Sequence, residues 1–353
     1  MRAADLTQPS RLAAALAAGT VSVLVAACGS SGATARQASP GVTVTVTKSA
    51  AASAAAATRA AATPRLVAVT TKGALVLLSP ATGAVTRTFV PSGVVGDEIS
   101  VGSGAVYFAR RNGCTDDIES LPLTGGTPVV ITAGTLPALS PDGSKLAFAS
   151  EPSLTGGCIP SNSDLTPLFK LVVRTLSTGA ETAYPMVPAG QDNGLPAPIS
   201  HLSWAPDGQR LAVSVSAVQD NEGWSLVLVD TPAARYYRTG AGTTPVPATG
   251  APDAQRSYLR EGVFLPDGNL FVSRACCAGV PVRNTSRLMW EVSPAGTLIH
   301  QVAVGFADLD HTSLDASSTG RWLLYLAGPD LYVSDNGARP RELASGLIAA
   351  AWM

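Results

Sequence analysis

Three stretches of the chain share one pattern of apolar and polar positions. Each has a short apolar run, a Pro-Asp-Gly turn and a segment that alternates between apolar and polar residues: LSPDGSKLAFAS at 139–150, WAPDGQRLAVSV at 204–215 and FLPDGNLFVSR at 264–274. Alternation with a period of two is typical of a strand with one buried face. Proline sets φ, aspartate bonds to nearby backbone and glycine adopts left-handed torsions, which together allow a tight reversal. Each copy therefore predicts a β-hairpin.

Two weaker copies keep the hairpin pattern, ISVGSGAVYFARR at 99–111 and LDASSTGRWLLYLAG at 314–328. The predicted turn glycines are separated by 39, 65, 60 and 52 residues and are Gly104, Gly143, Gly208, Gly268 and Gly320. A four-stranded propeller blade needs about 40–45 residues, and the longer intervals contain polar insertions. Further β-forming segments follow most hairpins. The spacing therefore indicates one four-stranded unit repeated along the chain.

The two ends of residues 64–353 are incomplete in a complementary way. Three strands, RLVAVTT, ALVLLSP and AVTRTFV, begin at residues 65, 74 and 84 with no inner strand before them, whereas LIAAAWM at 347–353 has nothing after it. Pairing them completes one blade and removes an open edge. The sequence therefore predicts an all-β, six-bladed β-propeller over 64–353, closed by its C-terminal strand. The alternative, a sandwich of unrelated hairpins, does not predict matching half-blades.

The repeated phrase resembles the TolB-type β-propeller repeat, a WD40-like repeat marked by S-P-D-G-x-x-[LI]-[AV]-F. The resemblance covers most of 64–353 and implies the fold more specifically than the function. TolB itself carries an α/β domain before its propeller and binds a peptidoglycan-associated lipoprotein. This chain has a low-complexity segment in that place, so that partnership is not transferred. Prolyl oligopeptidase-type enzymes also contain such propellers, but they need a hydrolase domain, which this sequence lacks.

Residues 1–27 resemble a lipoprotein signal peptide. Arg2 and Arg11 supply positive charge, and residues 12–27 are nearly all apolar or small, in a run shorter than a membrane span of about 20 residues. The ending VAAC at 25–28 resembles the bacterial lipobox, which predicts lipidation of Cys28 and anchoring to the outer face of the cell membrane. The alternative is an ordinary Ala-x-Ala signal peptide followed by an incidental cysteine.

Residues 28–63 form a low-complexity segment with few large apolar side chains, which predicts a disordered tether. The net charge of −1 and 14% charged residues give no basic patch for nucleic acid. Only Lys48, Lys72, Lys145 and Lys170 are lysines among 24 basic residues. We interpret this arginine-rich usage as typical of a high-GC bacterium, such as an actinobacterium.

Four cysteines follow Cys28, and an exported chain favours disulfides over metal ligation. Cys114 and Cys158 follow the second strands of adjacent blades, so a bridge between them is reasonable, and Cys276 with Cys277 could form a vicinal disulfide. Free thiols and a redox or metal role are the alternatives. The three turn aspartates are predicted to satisfy their own backbone rather than a ligand; they are Asp142, Asp207 and Asp267.

Alignment of the turns puts His201, Glu261 and His311 just before the inner strands of three consecutive blades, with Asp97 near the same level in another blade. Matching positions in a propeller converge at one mouth of its central channel. Two histidines and a glutamate could bind a divalent metal, but their spacing is not that of a tight ligand set. A polar channel mouth and a site for an organic or peptide ligand are the alternatives. We expect no metal and no cofactor.

The sequence contains no Gly-x-Ser-x-Gly elbow, HExxH pair, phosphate-binding loop or CxxC pair. It therefore predicts a non-catalytic binding or scaffold module, monomeric and tethered by lipid, for an envelope protein, a peptide or a glycan. The alternative is a lactonase- or sugar-dehydrogenase-like propeller enzyme with a metal or quinone at the channel mouth.

Overall fold

The computed structural model describes residues 64–150, 170–185, 199–216, 224–232, 235–237, 257–276, 288–304, 311–335 and 338–353. The regular elements in these ranges are all β-strands, and they contain no helix able to cross a membrane. The predicted signal peptide and tether, with Cys28, lie outside these residues, as do Cys158 and Cys277. All described strands belong to one compact unit, Arg59–Met353.

The strands form six four-stranded antiparallel sheets, which are the blades of a propeller. Their bounds are β1 Leu66–Thr70, β2 Leu75–Leu78, β3 Val85–Val90, β4 Val94–Gly102, β5 Ala105–Asn112, β6 Thr115–Pro122, β7 Val129–Ala133, β8 Thr135–Leu139, β9 Lys145–Ser150, β10 Lys170–Thr175, β11 Glu181–Pro185, β12 Ile199–Trp204, β13 Arg210–Ser216, β14 Trp224–Asp230, β15 Arg235–Tyr237, β16 Ser257–Phe264, β17 Leu270–Cys276, β18 Leu288–Val292, β19 Leu298–Val304, β20 His311–Ala316, β21 Trp322–Ala327, β22 Asp330–Asp335, β23 Arg341–Ala344 and β24 Leu347–Trp352. Blades 2 to 6 each take four consecutive strands, beginning with β4, β8, β12, β16 and β20.

Blade 1 is completed by the end of the chain, because its strand order is β24-β1-β2-β3. β24, the closing strand, runs antiparallel to β1 and places Trp352 opposite Leu66 and Ala349 opposite Val69. The closing strand also lies beside β4 of blade 2 and β20 of blade 6, so it is one of six inner strands that surround the channel. The predicted six-bladed ring and its closure are thereby confirmed.

The core lies between the blades, because each blade is apolar on both of its faces. Phe108 packs between blades 1 and 2, Phe148 between blades 2 and 3, and Tyr325 between blades 5 and 6, each almost fully buried. Burial of a large apolar side chain contributes about 1.5–3 kcal/mol. The alternation in the sequence therefore becomes a set of apolar contacts between successive blades.

The hairpin turns carry the torsions that the sequence predicts. The turn glycines have positive φ values of 77°, 71°, 64°, 87° and 70° at Gly104, Gly143, Gly208, Gly268 and Gly320. The amides of Ser144, Gln209 and Asn269 donate to the carboxylate two residues earlier, at 3.0, 2.9 and 2.9 Å. Bonds from the Ser140 hydroxyl, and from the amide and hydroxyl of Ser144, lower the pKa of Asp142 to about 2. The turn aspartates thus cap their own hairpins.

Candidate functional site

A bulge interrupts the inner strand of every blade where that strand pairs with its neighbour. The interruptions fall between Val95 and Ile99, Thr135 and Ala138, Ile199 and His201, Leu259 and Gly262, Thr312 and Asp315, and, in the closing strand, opposite Val69 and Thr70. A bulge adds residues to one strand and re-aims their side chains. The six bulges therefore determine which side chains face the channel.

The bulges of four blades place polar side chains in buried positions. Glu98, His201, Glu261 and Ser313 are 7%, 4%, 3% and 5% exposed. Ser313 and Leu136, in the bulges of blades 6 and 3, have positive φ values of 54° and 55°, which are rare for residues with a side chain. Such torsions persist only where the surrounding structure imposes them. The channel side of the ring is therefore built to a fixed geometry.

A carboxylate and an imidazole meet across the channel at the level of the bulges. Oε1 of Glu98 in blade 2 contacts Nδ1 of His201 in blade 4 within hydrogen-bond range, past the inner strand of blade 3. Both side chains line a cavity of about 270 Å³. The cavity extends to Pro141 and Ser318, which are exposed on the face that carries the Pro-Asp-Gly turns. We call this space the channel cavity and that side the turn face.

Serine hydroxyls join neighbouring inner strands around the channel. In each case the hydroxyl accepts a hydrogen bond from a backbone amide of the next blade: Leu139 to Ser100 at 2.9 Å, Phe264 to Ser203 at 3.0 Å and Ala350 to Ser313 at 3.3 Å. The indole of Trp204 also donates to the carbonyl of Ala138 in the preceding blade at 2.9 Å. Buried backbone groups are costly unless bonded. These polar side chains therefore hold the ring together.

Asp315 performs the same function with a carboxylate. Its oxygens accept hydrogen bonds from the amide of Trp352 in the closing strand at 2.7 Å and from the amide of Ala316 at 2.8 Å. Burial raises the pKa of Asp315 to about 6, although both amide bonds and the nearby His201 act in the opposite direction. The lining of the channel cavity therefore includes a carboxyl group that titrates close to neutral pH.

Asp315→Asn is expected to stabilise the propeller more at pH 7.5 than at pH 4.5. Because the native pKa, about 6, lies above the unfolded value of 3.8, the native state binds more protons between these pH values and loses stability as the pH rises through them. A shift of two units corresponds to about 3 kcal/mol. Asparagine can still accept from Trp352. Urea unfolding of both proteins between pH 4.5 and 7.5 measures the difference, and a difference that is constant with pH would contradict this prediction.

The structure places the four predicted channel residues differently. His201 lines the channel cavity, whereas Glu261 is buried in the bulge of β16, where its backbone amide donates to Ser273 at 3.3 Å. Asp97 lies in β4 and His311 is the first residue of β20, but their side chains are outside the description. The structural counterpart of His201 and Glu261 in blade 6 is Ser313, because each lies seven residues before its turn glycine.

Two residues of the site were not singled out from the sequence, Glu98 and Asp315. Glu98 is adjacent to the predicted Asp97 and lies in the longest of the six bulges, which inserts three residues into β4. Asp315 lies one strand position from the Ser-Ser-Thr-Gly turn, where blades 3 and 5 have Ala138 and Val263. The available signal for Asp315 was a charged residue at a position where the other hairpins have small, apolar or hydroxyl side chains, such as that of Ser203 in blade 4.

The remaining predicted sites lie mostly beyond the described chain. Cys114 is in the turn between β5 and β6, as expected. Cys158 and Cys277 are outside the described ranges, and of Cys276 only the backbone in β17 is described. The Cys114–Cys158 and Cys276–Cys277 pairings therefore stay predictions. Among described side chains, no three of His, Cys, Asp and Glu form a group able to hold a metal ion.

Comparison with known proteins shows the fold. No protein-family model and no curated protein matches the sequence. One similar structure is TolB from Acinetobacter baumannii, with a TM-score of 0.55 and 13% identity over 82% of this chain and 66% of that chain. Another is a protein assigned as TolB from Agrobacterium tumefaciens, with a TM-score of 0.51 and 12% identity over 83% of this chain and 99% of that chain. A nidogen–laminin complex also contains a similar chain (0.52, 12%, 82% and 98%). This chain thus spans just under two thirds of the Acinetobacter protein.

Proposed function

We propose that this chain is an extracytoplasmic, lipid-anchored propeller that acts as a non-catalytic binding or scaffold module for an envelope protein, a peptide or a glycan. The proposal rests on the hydrogen bonds that the polar side chains of the channel make to the backbone. Ser100, Ser203, Ser313 and Asp315 accept backbone amides of neighbouring blades. Groups that hold the ring together in this way are engaged in structure, which favours binding over catalysis.

The face opposite the turn face is the proposed surface for a partner. Strands of blades 3 to 6 leave and re-enter the described structure on that face, through connections 151–169, 186–198, 217–223, 238–256, 277–287 and 305–310. Connections of such varied length on a rigid scaffold are where proteins commonly place recognition residues. The likeness to TolB and to a chain of a nidogen–laminin complex, which is itself an assembly of proteins, supports a binding role.

Crosslinking in intact cells tests the proposal. A tagged chain is crosslinked, purified under denaturing conditions and compared with the Cys28→Ser variant, which keeps the propeller but removes the predicted lipid acceptor. We expect an envelope protein, a peptide or a glycan to be enriched with the parent chain. Equal recovery from both proteins, or no enriched species, would contradict a tethered binding module.

Lipidation itself is tested by labelling with radioactive palmitate. Cys28→Ser is expected to abolish incorporation, because the thiol of Cys28 is the proposed acyl acceptor. Cys114→Ser, the same exchange in the β5–β6 turn, is the matched control and should incorporate label as the parent does. Label in the Cys28→Ser protein would show that the anchor is absent or lies elsewhere.

A second candidate function is supported by the Glu98–His201 contact. A carboxylate that orients an imidazole is the arrangement used by many general bases, and here it faces the channel cavity. This supports a lactonase- or sugar-dehydrogenase-like enzyme with a metal or quinone at the channel mouth, and the predicted Asp97, Glu261 and His311 would belong to that site. Metal analysis of the purified protein is the test: a stoichiometric metal that is lost in Glu261→Gln would favour this enzyme over the binding module.

A further inference from the structure

Six residues at one level of the channel alternate between apolar and polar side chains. They occupy the same position of the six inner strands, because each pairs with the equivalent residue of the second strand in its blade, as Ser203 does with Ala212 and Val263 with Phe271. All six line the channel cavity. In order from blade 1 to blade 6 they are Ala351, Ser100, Ala138, Ser203, Val263 and Asp315. We call them the channel collar.

The two serines of the channel collar have hydrogen-bonding capacity that the ring does not use. The hydroxyl oxygens of Ser100 and Ser203 accept the amides of Leu139 and Phe264 at 2.9 and 3.0 Å. A hydroxyl group also carries one proton that it can donate. Among the described residues, neither of these hydroxyls donates to an acceptor. Both are therefore donors that a ligand in the cavity can use.

A third donor and a carboxylate complete the polar groups of this level. The indole N–H of Trp352 is buried and no described residue accepts it, whereas the indole of Trp204 donates to Ala138 at 2.9 Å. Trp352 is 5% exposed and lines the cavity. A carboxylate has about four acceptor positions, and two of those on Asp315 are occupied by the amides of Trp352 and Ala316. The cavity therefore presents both donors and an acceptor.

This combination of donors and acceptor excludes three simple classes of ligand. An ammonium ion has only N–H donors, so it cannot accept from the serine hydroxyls or from the indole. A carboxylate or phosphate ion has only acceptors, and it would meet the like charge of Asp315. An alkyl chain would leave all of these buried polar groups without a partner, which is costly. A neutral ligand with several hydroxyl groups both donates and accepts, so it matches them all.

The size and the walls of the cavity narrow this class to a sugar ring. Its volume of about 270 Å³ lies just below the range of about 300–1,000 Å³ that is typical for drug-sized ligands, so it suits a smaller molecule. Ala138, Val263 and Ala351 lie between the polar members of the channel collar. A sugar ring likewise has C–H groups between its hydroxyl groups, so it would cover both kinds of wall.

We propose that the channel cavity binds one neutral sugar ring, whose hydroxyl groups bond to the serines and the aspartate of the channel collar and to the indole of Trp352. This inference rests on the proposed binding function and deepens it, because it names a carbohydrate as the ligand of the channel. The ring can be the terminal unit of an envelope glycan or a free monosaccharide, since both present the same hydroxyl groups.

Titration of the full chain at pH 7.5, followed by the indole N–H signals in ¹H–¹⁵N NMR spectra, tests the proposal. The probes are the methyl glycosides of glucose, mannose and N-acetylglucosamine, compared with cyclohexanol and methyl glucuronide. We expect at least one glycoside to shift the signal of Trp352 saturably, and not that of Trp290, which lies outside the cavity. Cyclohexanol has a single hydroxyl group and the glucuronide is an anion, so each should bind at least about tenfold more weakly.

Variants of the channel collar test the roles of its polar groups. Asp315→Asn should weaken glycoside binding about tenfold, because charge-assisted hydrogen bonds are lost. Asp267→Asn removes the same charge from a turn of the same face outside the cavity, so it should bind as the parent does. Ser203→Ala should weaken binding about fivefold, as loss of a neutral hydrogen bond predicts. Ser144→Ala, in the blade 3 turn outside the cavity, is its matched control.

Any of three results would overturn the site: cyclohexanol binding as tightly as the glycosides, no glycoside shifting the Trp352 signal saturably, or binding that Asp315→Asn leaves unchanged. The first two use the parent protein alone and are independent of whether a variant folds. A disaccharide glycoside that binds as tightly as the monosaccharide would support a glycan terminus, and its exclusion would support a free monosaccharide. A partner captured by crosslinking without any glycoside binding would refute this site and leave the binding function standing.

Discussion

Deletion of the closing strand, residues 347–353, is expected to abolish cooperative unfolding of the propeller. The strand supplies the innermost position of blade 1, and its residues Leu347, Ala349 and Trp352 are 4%, 0% and 5% exposed. Its loss would expose the edge of β1 and the apolar faces on both sides. Domains of this kind are stable by about 5–15 kcal/mol, which the lost contacts of a whole buried strand can exceed. Thermal melting followed by circular dichroism is the measurement.

A graded variant makes this prediction quantitative. Trp352→Ala should lower the free energy of unfolding by about 3–5 kcal/mol, because the indole packs against Trp322 at a ring-centroid distance of 6.2 Å. Val85→Ala, in the outer strand of the same blade, is the matched control, since Val85 is 54% exposed and its change should cost under about 0.5 kcal/mol. A deletion that melts at the temperature of the parent would refute the closed ring.

Gly83→Ala is expected to destabilise the junction of blades 6 and 1 by several kcal/mol. Gly83 has a φ of 71°, and a β-carbon there would lie 1.8 Å from the carbonyl oxygen of Leu343 in β23. Neither backbone can move freely, because the same junction is held by the Arg341 side chain on the carbonyl of Pro80 at 2.7 Å. Overpacking lowers the free energy of unfolding by about 1–3 kcal/mol or more. The left-handed torsions that alanine must adopt there lower it by about a further 1–2 kcal/mol. Urea unfolding measures the loss.

Gly104→Ala separates these two contributions. Gly104 has a similar φ of 77°, but no atom lies within 4 Å of the β-carbon that alanine would add. The free energy of unfolding of the Gly104→Ala variant should therefore fall only by the contribution of the left-handed torsions, about 1–2 kcal/mol. Equal losses for the two variants would show that the contact between Gly83 and blade 6 is looser than in this structure.

The fold could be predicted from the sequence because its determinants are local. Each Pro-Asp-Gly turn acts within its own hairpin, as the bond from Asn269 to Asp267 illustrates, and the alternation that follows defines the two apolar faces of a strand. Ring closure is a long-range contact, yet it was predictable because LIAAAWM at one end completes three strands at the other.

The channel was predicted less well, because counting from a turn assumes a regular strand. Asp97 lies seven residues before Gly104, as His201 does before Gly208, but the three inserted residues of β4 make Glu98 the contact of His201. In blade 6 the alignment of the turns was two residues off, because His311 lies nine residues before Gly320 and Ser313 lies seven. A bulge has no distinct residue signature in these strands, so the side chains that it re-aims were visible only in three dimensions.

The serine and aspartate bonds around the channel all run in one rotational sense, and this gives the chain a direction of assembly. Each acceptor lies in blade 2, 4 or 6, and its donor is an amide of the blade that follows. The amide of Leu139 donates to Ser100, that of Phe264 to Ser203, that of Ala350 to Ser313 and that of Trp352 to Asp315. During synthesis from the N-terminus, blades 3 and 5 can therefore bond to the blades made immediately before them. Blade 1 is the exception, since the inner edge of β1 stays unpaired until β24 is synthesised. The nascent chain therefore keeps that edge exposed while blades 2 to 6 are made, and chaperones would be needed most in this interval.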